Sequence, residues 1–523
     1  MKTMRIILAA ILIALTLPAM PAVRYQESFM NLPASTSAFE TRFDLNGDNR
    51  TDVVSIFQRR ILIFLQTSRN TFPAAPDVEI GAGKPIPETY AAIAVGKVAS
   101  VDGLQLLLIG PNGVDYLSSN QLSGNAAEPV EPKPLLRKNF DLTSGPNLVF
   151  LDAALDVDGD GKTELVLPNG DLLEIYHADA NMNFSSSSRI SLPMNTMQET
   201  RLRVEPAVLG SLAFSESGPQ SMVQVQPRLD RWYGIQFAVE TYSDPFLAVD
   251  FNSDKRLDFV TPRQIFFQND KGDFNARPSS VYSRIATARA AHKNRVVDAP
   301  NLVDFNGDGI LDTFQVANTT TKLPRTDVSV FLGRENRSFS DEPNFVLRTR
   351  DFAYSEVIPL GDLNGDGCVD IALLHLDFQP SSMNSQLKSY LRSGLDGDLR
   401  FYLWDKAANR FPEAFAFKQR VLVSYDIYGP RQLFQQQIVM STDMDGDKFP
   451  DLVMKTGAQE ISVFKNLEGK GFSNDPVALI KTPTRFSSIT VMDMNGDGLG
   501  DVLISGYRED EEDRVIYSFY LSM

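Results

Sequence analysis

One nonapeptide pattern occurs seven times along the chain, with Asp or Asn at positions 1, 3 and 5 and a carboxylate at position 9. The copies place these residues at Asp44, Asn46, Asp48 and Asp52, at Asp156, Asp158, Asp160 and Glu164, and at Asp250, Asn252, Asp254 and Asp258. They continue at Asp304, Asn306, Asp308 and Asp312, and at Asp362, Asn364, Asp366 and Asp370. Asp443, Asp445, Asp447 and Asp451, then Asp493, Asn495, Asp497 and Asp501, complete the set. Internal periodicity of this kind restricts a long chain to repeat architectures, which add small cores side by side. Each copy lies between short apolar runs, such as Ile489-Thr490-Val491-Met492 before the last and Val502-Leu503-Ile504 after it. Short apolar runs bounded by Gly, Asn and Asp read as strands joined by a tight loop.

A weaker repeat accompanies the first. Downstream of six loops a polar turn runs into a phenylalanine: Phe72, Phe184, Phe274, Phe339, Phe411 and Phe472. Each unit thus reads as strand, acidic loop, strand, connection, strand, Phe turn, strand, which is a propeller blade. The spacing from Asp44 to Asp156 is double the usual, and Lys97 and Gln105 fall where the first and last acids of a further loop belong. This segment reads as a blade whose loop has lost its metal. A faint candidate over 207–225 would make nine units. Eight blades are favoured, with seven to nine compatible, and residues 200–245 are taken as an insertion or a degenerate ninth. The expected fold is all-β: a single β-propeller of four-stranded blades with Ca²⁺ loops between strands 1 and 2.

These residues resemble the FG-GAP/VCBS repeats of integrin α-subunit heads and of many exported bacterial proteins, over nearly the whole chain. The resemblance implies an integrin-α-like propeller carrying Ca²⁺ between the first two strands of each blade. The residue chemistry agrees. Calcium takes six to eight oxygen ligands in flexible geometry. Positions 1, 3 and 5 offer side-chain oxygens as in the first half of an EF-hand loop, position 7 a backbone carbonyl, and position 9 a closing carboxylate. A polar β-turn needs two or three such residues, not a carboxylate at position 9 in every copy. Up to seven Ca²⁺ are expected, and magnesium fits less well because it retains its water. Ser253, Lys255 and Lys448 mark two weaker loops, since a side chain at position 4 or 6 makes the turn harder and a lysine adds a competing cation.

Residues 1–22 read as a secretory signal peptide: Lys2 and Arg5, an apolar run over 6–17, then small Ala19 and Ala22. Residues 23–523 are assigned to the propeller, and no second apolar run is long enough to span a membrane. The single cysteine, Cys368, leaves an exported chain without disulfides. The net charge of −16 becomes −18 without Lys2 and Arg5, which argues against a nucleic-acid partner. Seven Ca²⁺ would bring −18 to −4. Metal binding then takes the stabilising role that disulfides would have had.

No triad, zinc or P-loop pattern accompanies His177, His292 or His375, and each reads as a surface or strand-end residue. Cys368 sits at position 7 of an acidic loop, where negative charge blunts a thiol. The expected function is a secreted, non-catalytic scaffold for a protein or carbohydrate ligand. The alternatives are a lyase-like, polysaccharide-active propeller and a structural subunit of a cell-surface assembly. Two topological expectations follow. The last unit lacks a fourth strand, so residues 24–33 should close the ring. The long segments 275–300, 317–327, 380–398, 412–435 and 506–514 fall on the face opposite the calcium loops, where the partner is expected.

Overall fold

Short apolar runs flank every acidic loop, and in the computed structural model they form the antiparallel strands of eight four-stranded blades. The structure describes residues 23–523 except 34–35, 69, 100–102, 123–130, 143–147, 171, 180, 192–193, 197–235, 239–240, 244–246, 262–263, 279–300, 320–324, 337, 350–359, 377–393, 425–437, 458, 482–485 and 509–510. The signal segment 1–22 therefore lies outside the described residues. The first blade comprises Thr36–Phe43, Asp52–Phe57, Arg60–Phe64 and Val78–Ile80 in that order. The sixth repeats the plan with Leu360–Gly361, Asp370–Leu376, Gly394–Tyr402 and Phe417–Ser424. Strand 1 is often the shortest, because the chain leaves it at once for the acidic loop.

Strand 2 is buried on both faces, as Asp52–Phe57 shows, so it carries the continuous apolar runs seen in the sequence. Its neighbours on either side are the adjacent blades. One apolar cluster joins Met30 and Phe519 of the eighth blade to Phe39 and Val53 of the first. Another joins the first blade to the second, through Ile56 and Ile93. The series continues around to Val453 of the seventh blade against Val502 of the eighth, and the ring is closed. The turn phenylalanines serve the same contacts. Phe72 packs on Phe519, Phe339 on Phe251, Phe411 on Phe305 and Phe472 on Phe401, each reaching the preceding blade.

The second blade contains the expected loop relic. Gln105 is fully buried, and its Oε1 accepts the N–H groups of Val98 (2.8 Å) and Ala99 (3.1 Å). It keeps the bracing of an acidic loop without its charge. Val149–Phe150 adds a fifth strand, parallel to Ala92–Gly96, which the sequence reading did not anticipate. The insertion is not a ninth blade. Met194–Thr196, Thr241–Ser243 and Gln236–Ala238 form a separate three-stranded sheet. The third and fourth blades meet directly, with the Leu257 N–H donating to the Val157 carbonyl (2.8 Å).

The eighth blade is completed from the other end of the described chain. Tyr25–Pro33 runs antiparallel to Glu511–Ser522 with Tyr25 opposite Ser522 and Pro33 opposite Arg514. All five segments read as irregular connections contain strand among their described residues, with Phe274–Pro278 entering 275–300 and Gly394–Tyr402 entering 380–398. Residues 506–514 extend a hairpin that pairs Arg508 with Glu511. Within 317–327, Thr319 pairs with Arg325, and within 412–435, Phe417–Ser424 is the outer strand of the sixth blade. Polar residues at the strand ends hid these extensions, because pairing there buries little apolar surface.

Candidate metal centres

The acidic loops all leave strand 1 and enter strand 2, so strand alternation puts them on one face of the ring. Each is organised by its own carboxylates. Asp304 Oδ1 accepts the N–H of Gly307 (2.8 Å) and its Oδ2 that of Gly309 (2.8 Å). Asn306 Oδ1 accepts from Asp308 (3.0 Å), and Asp308 Oδ1 from Ile310 (2.9 Å). The same pattern recurs at Asp44, Asp156, Asp362, Asp443 and Asp493. Position 6 takes positive φ whatever its residue: Gly309 at 83°, Asn49 at 63°, Lys255 at 72° and Lys448 at 76°.

Neighbouring loops also touch. The Leu311 N–H, at position 8, donates to the Phe305-equivalent carbonyl of the preceding blade, Phe251 O (3.0 Å), and Val369 donates likewise to Phe305 O (2.9 Å). Pro450 has no N–H to give at this position. There the Asn466 side-chain amide donates to Leu363 O (2.9 Å) instead. A Cβ on Gly307 would collide with the Gly367 carbonyl of the next loop, so glycine at position 4 serves close approach as well as the turn. Ser253 stands at that position in the third loop and donates to Gly309 O (2.7 Å), which turns a steric liability into a contact.

The FG-GAP-like repeat family matches residues 304–373 and 443–504, which span four of the seven loops. The chain carries FG-GAP-like repeats. No curated protein matches it by sequence.

In the FG-GAP loops the position 9 carboxylate has a role that spacing alone does not reveal. Asp312 is fully buried, and its oxygens accept the N–H groups of Phe305 (2.9 Å) and Gly333 (2.8 Å). One side chain thus ties the loop to the end of strand 3. Asp52, Asp258, Asp370, Asp451 and Asp501 do the same with Gln66, Gln268, Trp404, Asn466 and Ser522. Burial is the main cause that pushes Asp52, Asp312, Asp370, Asp451 and Asp501 up, with neighbouring loop carboxylates adding to it and the backbone donors opposing it. Asp52, Asp370 and Asp451 rise to about 7, Asp312 to about 8 and Asp501 to about 6. Buried oxygens crowded by like charge suit a hard cation, which is bound through oxygen. Asn252 Oδ1 adds a buried acceptor with no donor. Several clusters bring their donors within 4.8 Å of one another, among them Asp156 with Asp158 and Asp160, and Asp443 with Asp445 and Asp451. These clusters could hold a metal ion.

The cations nearest the loops differ. Arg256 donates to Asp254 (2.9 Å); burial alone would raise Asp254, but the Arg256 N–H and guanidinium hold it below its usual range. Lys465, which the sequence reading missed, contacts Asp445 and lies 2.8 Å from Asp447. Lys448, singled out as a competitor, has a position 6 backbone N–H bound to Asp443 (2.6 Å). Cys368 is fully buried, and burial followed by the Asp366 charge pushes its thiol up to about 11, which blunts its reactivity. His375 is buried in strand Asp370–Leu376, and His292 lies outside the described residues.

A pH dependence follows. In the absence of metal, position 9 carboxylates titrating near 6–8 in the folded chain and near 4 in the unfolded one bind more protons when folded. Their stabilising contribution is complete below the unfolded value and lost as pH rises through the folded values. In excess chelator the melting temperature should therefore fall between pH 5 and pH 8. A rise over that interval would show that these carboxylates are not the groups in control.

Proposed function

We propose that this protein is a secreted, calcium-stabilised β-propeller that acts as a non-catalytic scaffold for a protein or glycan ligand. The observation that carries the reading is a closed ring whose acidic loops occupy one face and touch one another through positions 4 and 6. In each loop the ligands would be the side chains at positions 1, 3, 5 and 9 and the carbonyl at position 7. For the fourth loop these are Asp304, Asn306, Asp308 and Asp312 with the Ile310 carbonyl. Calcium there supplies charge neutralisation, and the chain supplies loops already folded by their own hydrogen bonds. Export is supported by residues 1–22. No helix among the described residues is long and apolar enough to cross a membrane.

Ligand binding is assigned to the opposite face. Strand ends such as Leu376 and Gly394, which flank the longest connection between strands 2 and 3, point away from the acidic loops. Segment 380–398 lies mostly outside the described residues. Rigid scaffolds place binding on such connections. The test replaces 380–393 by a tight turn and measures folding and ligand capture on cell-surface extracts. A folded, calcium-responsive variant that has lost its interaction is expected. Retained interaction, or loss only through unfolding, would remove this face from consideration.

A further inference from the structure

Two loops depart from the others in the same two ways. Position 3 is Asn in five loops but Asp158 in the third blade and Asp445 in the seventh. The residue on strand 3 opposite position 9 is apolar in five blades: Leu65, Phe267, Leu332, Leu403 and Leu521. In the two exceptional blades it is His177 and Lys465. The register of strands 2 and 3 places them alike, since Leu165 pairs with Tyr176 and Leu452 with Phe464, one residue before each. An added carboxylate at position 3 is thus matched by a nitrogen base beside it.

The contact is the same in both blades. Asp445 Oδ1 accepts the Asp447 N–H (3.3 Å), and Asp445 Oδ2 meets the Lys465 ammonium. Asp158 Oδ1 accepts the Asp160 N–H (3.1 Å), and Asp158 Oδ2 stands 3.3 Å from His177 Nδ1. In the seventh blade, therefore, a fixed cation already occupies the place beside Oδ2. In the third blade that place is flanked by an imidazole nitrogen.

Position 9 differs there too. Glu164 is the one glutamate among the position 9 residues, and its side chain is only 2% exposed. Its Oε2 accepts the Val157 N–H (2.7 Å), as in the other loops. Its Oε1 does not tie to strand 3; it lies 3.7 Å from His177 Nδ1 without a hydrogen-bond donor among the described residues. The extra methylene carries this oxygen away from the backbone and toward the imidazole.

We propose that His177 Nδ1, Asp158 Oδ2 and Glu164 Oε1 form a site for a transition-metal divalent cation of the zinc class. It rests on and refines the reading of the loops as cation sites, with this ion taking the place of calcium in the loop of the third blade. The three donors lie within 4.8 Å of one another. Ligands of tetrahedral zinc, at roughly 2.1 Å from the metal, stand about 3.4 Å apart, and the two histidine contacts are 3.3 and 3.7 Å. An imidazole with two carboxylates favours zinc or a similar first-row ion over calcium, which prefers an all-oxygen shell. Solvent reaches the His177 side chain, which is 25% exposed, so a water can complete the shell.

The test is calorimetric titration of Zn²⁺ into the full mature chain, free of any affinity tag, in millimolar Ca²⁺. One equivalent is expected. His177→Gln should weaken it at least ~10-fold while leaving the calcium dependence of melting unchanged. Glu164→Asp should weaken it too, because the shorter chain returns the oxygen to the backbone. Co²⁺ added to the unaltered chain should give a visible absorption band that Zn²⁺ abolishes, a readout independent of any variant's folding. No zinc equivalent, or one that survives His177→Gln, overturns the proposal. Melting that ignores calcium would defeat the calcium reading alone, and the zinc titration would still decide this site.

Discussion

Excess EDTA is expected to lower the melting temperature by on the order of 10–20 °C, and added Ca²⁺ to restore it. A ligand at a hundred times its dissociation constant stabilises the folded state by about 2.7 kcal/mol per site. Two or three saturated loops would then match the total stability of an ordinary domain, about 5–15 kcal/mol. The chain has no disulfide to fall back on, because Cys368 is its single cysteine. The effect should be cooperative, since Ser253 bonds to Gly309 of the next loop and Leu311 to Phe251 of the preceding one. The measurement is a pair of thermal melts with and without chelator at pH 8. Superimposable curves would end the calcium reading.

Deleting residues 23–33 should destabilise the entire ring. The strand Tyr25–Pro33 buries Met30 and Leu32 completely or nearly so against the first and eighth blades. Truncating buried side chains of this size costs about 2–5 kcal/mol each. The deletion also leaves Arg514–Ser522, the nine residues of strand Glu511–Ser522 that pair with Tyr25–Pro33, without partners on that edge. A free edge of that length invites association between copies. Chemical denaturation together with light scattering measures both effects, and a truncated chain that melts like the full one would exclude this closure. Met30→Ala offers a milder variant with the same sign.

Much of the fold was legible because each blade repeats a local pattern. The acidic nonapeptide marks the turn between strands 1 and 2, and the Phe turns mark strands 3 and 4. Lys97 and Gln105 pointed to a blade without a metal loop, since Gln105 keeps an aspartate's hydrogen bond from the position 2 N–H while losing its charge. The strand limits at 417–424 and 506–514 were not legible, because polar residues there carry no alternation to count.

The sequence by itself determined the blade plan, the order of the units and the identity of the acidic loops, because these depend on spacing along one chain, whereas the structure reduced seven to nine blades to eight. Tertiary structure decided what each loop meets. The position 9 aspartates turn both oxygens to backbone N–H groups, and Asn466 supplies the donor that Pro450 lacks. Lys465 and His177 stand beside Asp445 and Asp158 only because the strand 2–3 register brings them there. Each of these contacts joins residues on different strands or blades. A side chain's charge or donor is written in the sequence, but its partner is set by strand register and by the packing of one blade on the next.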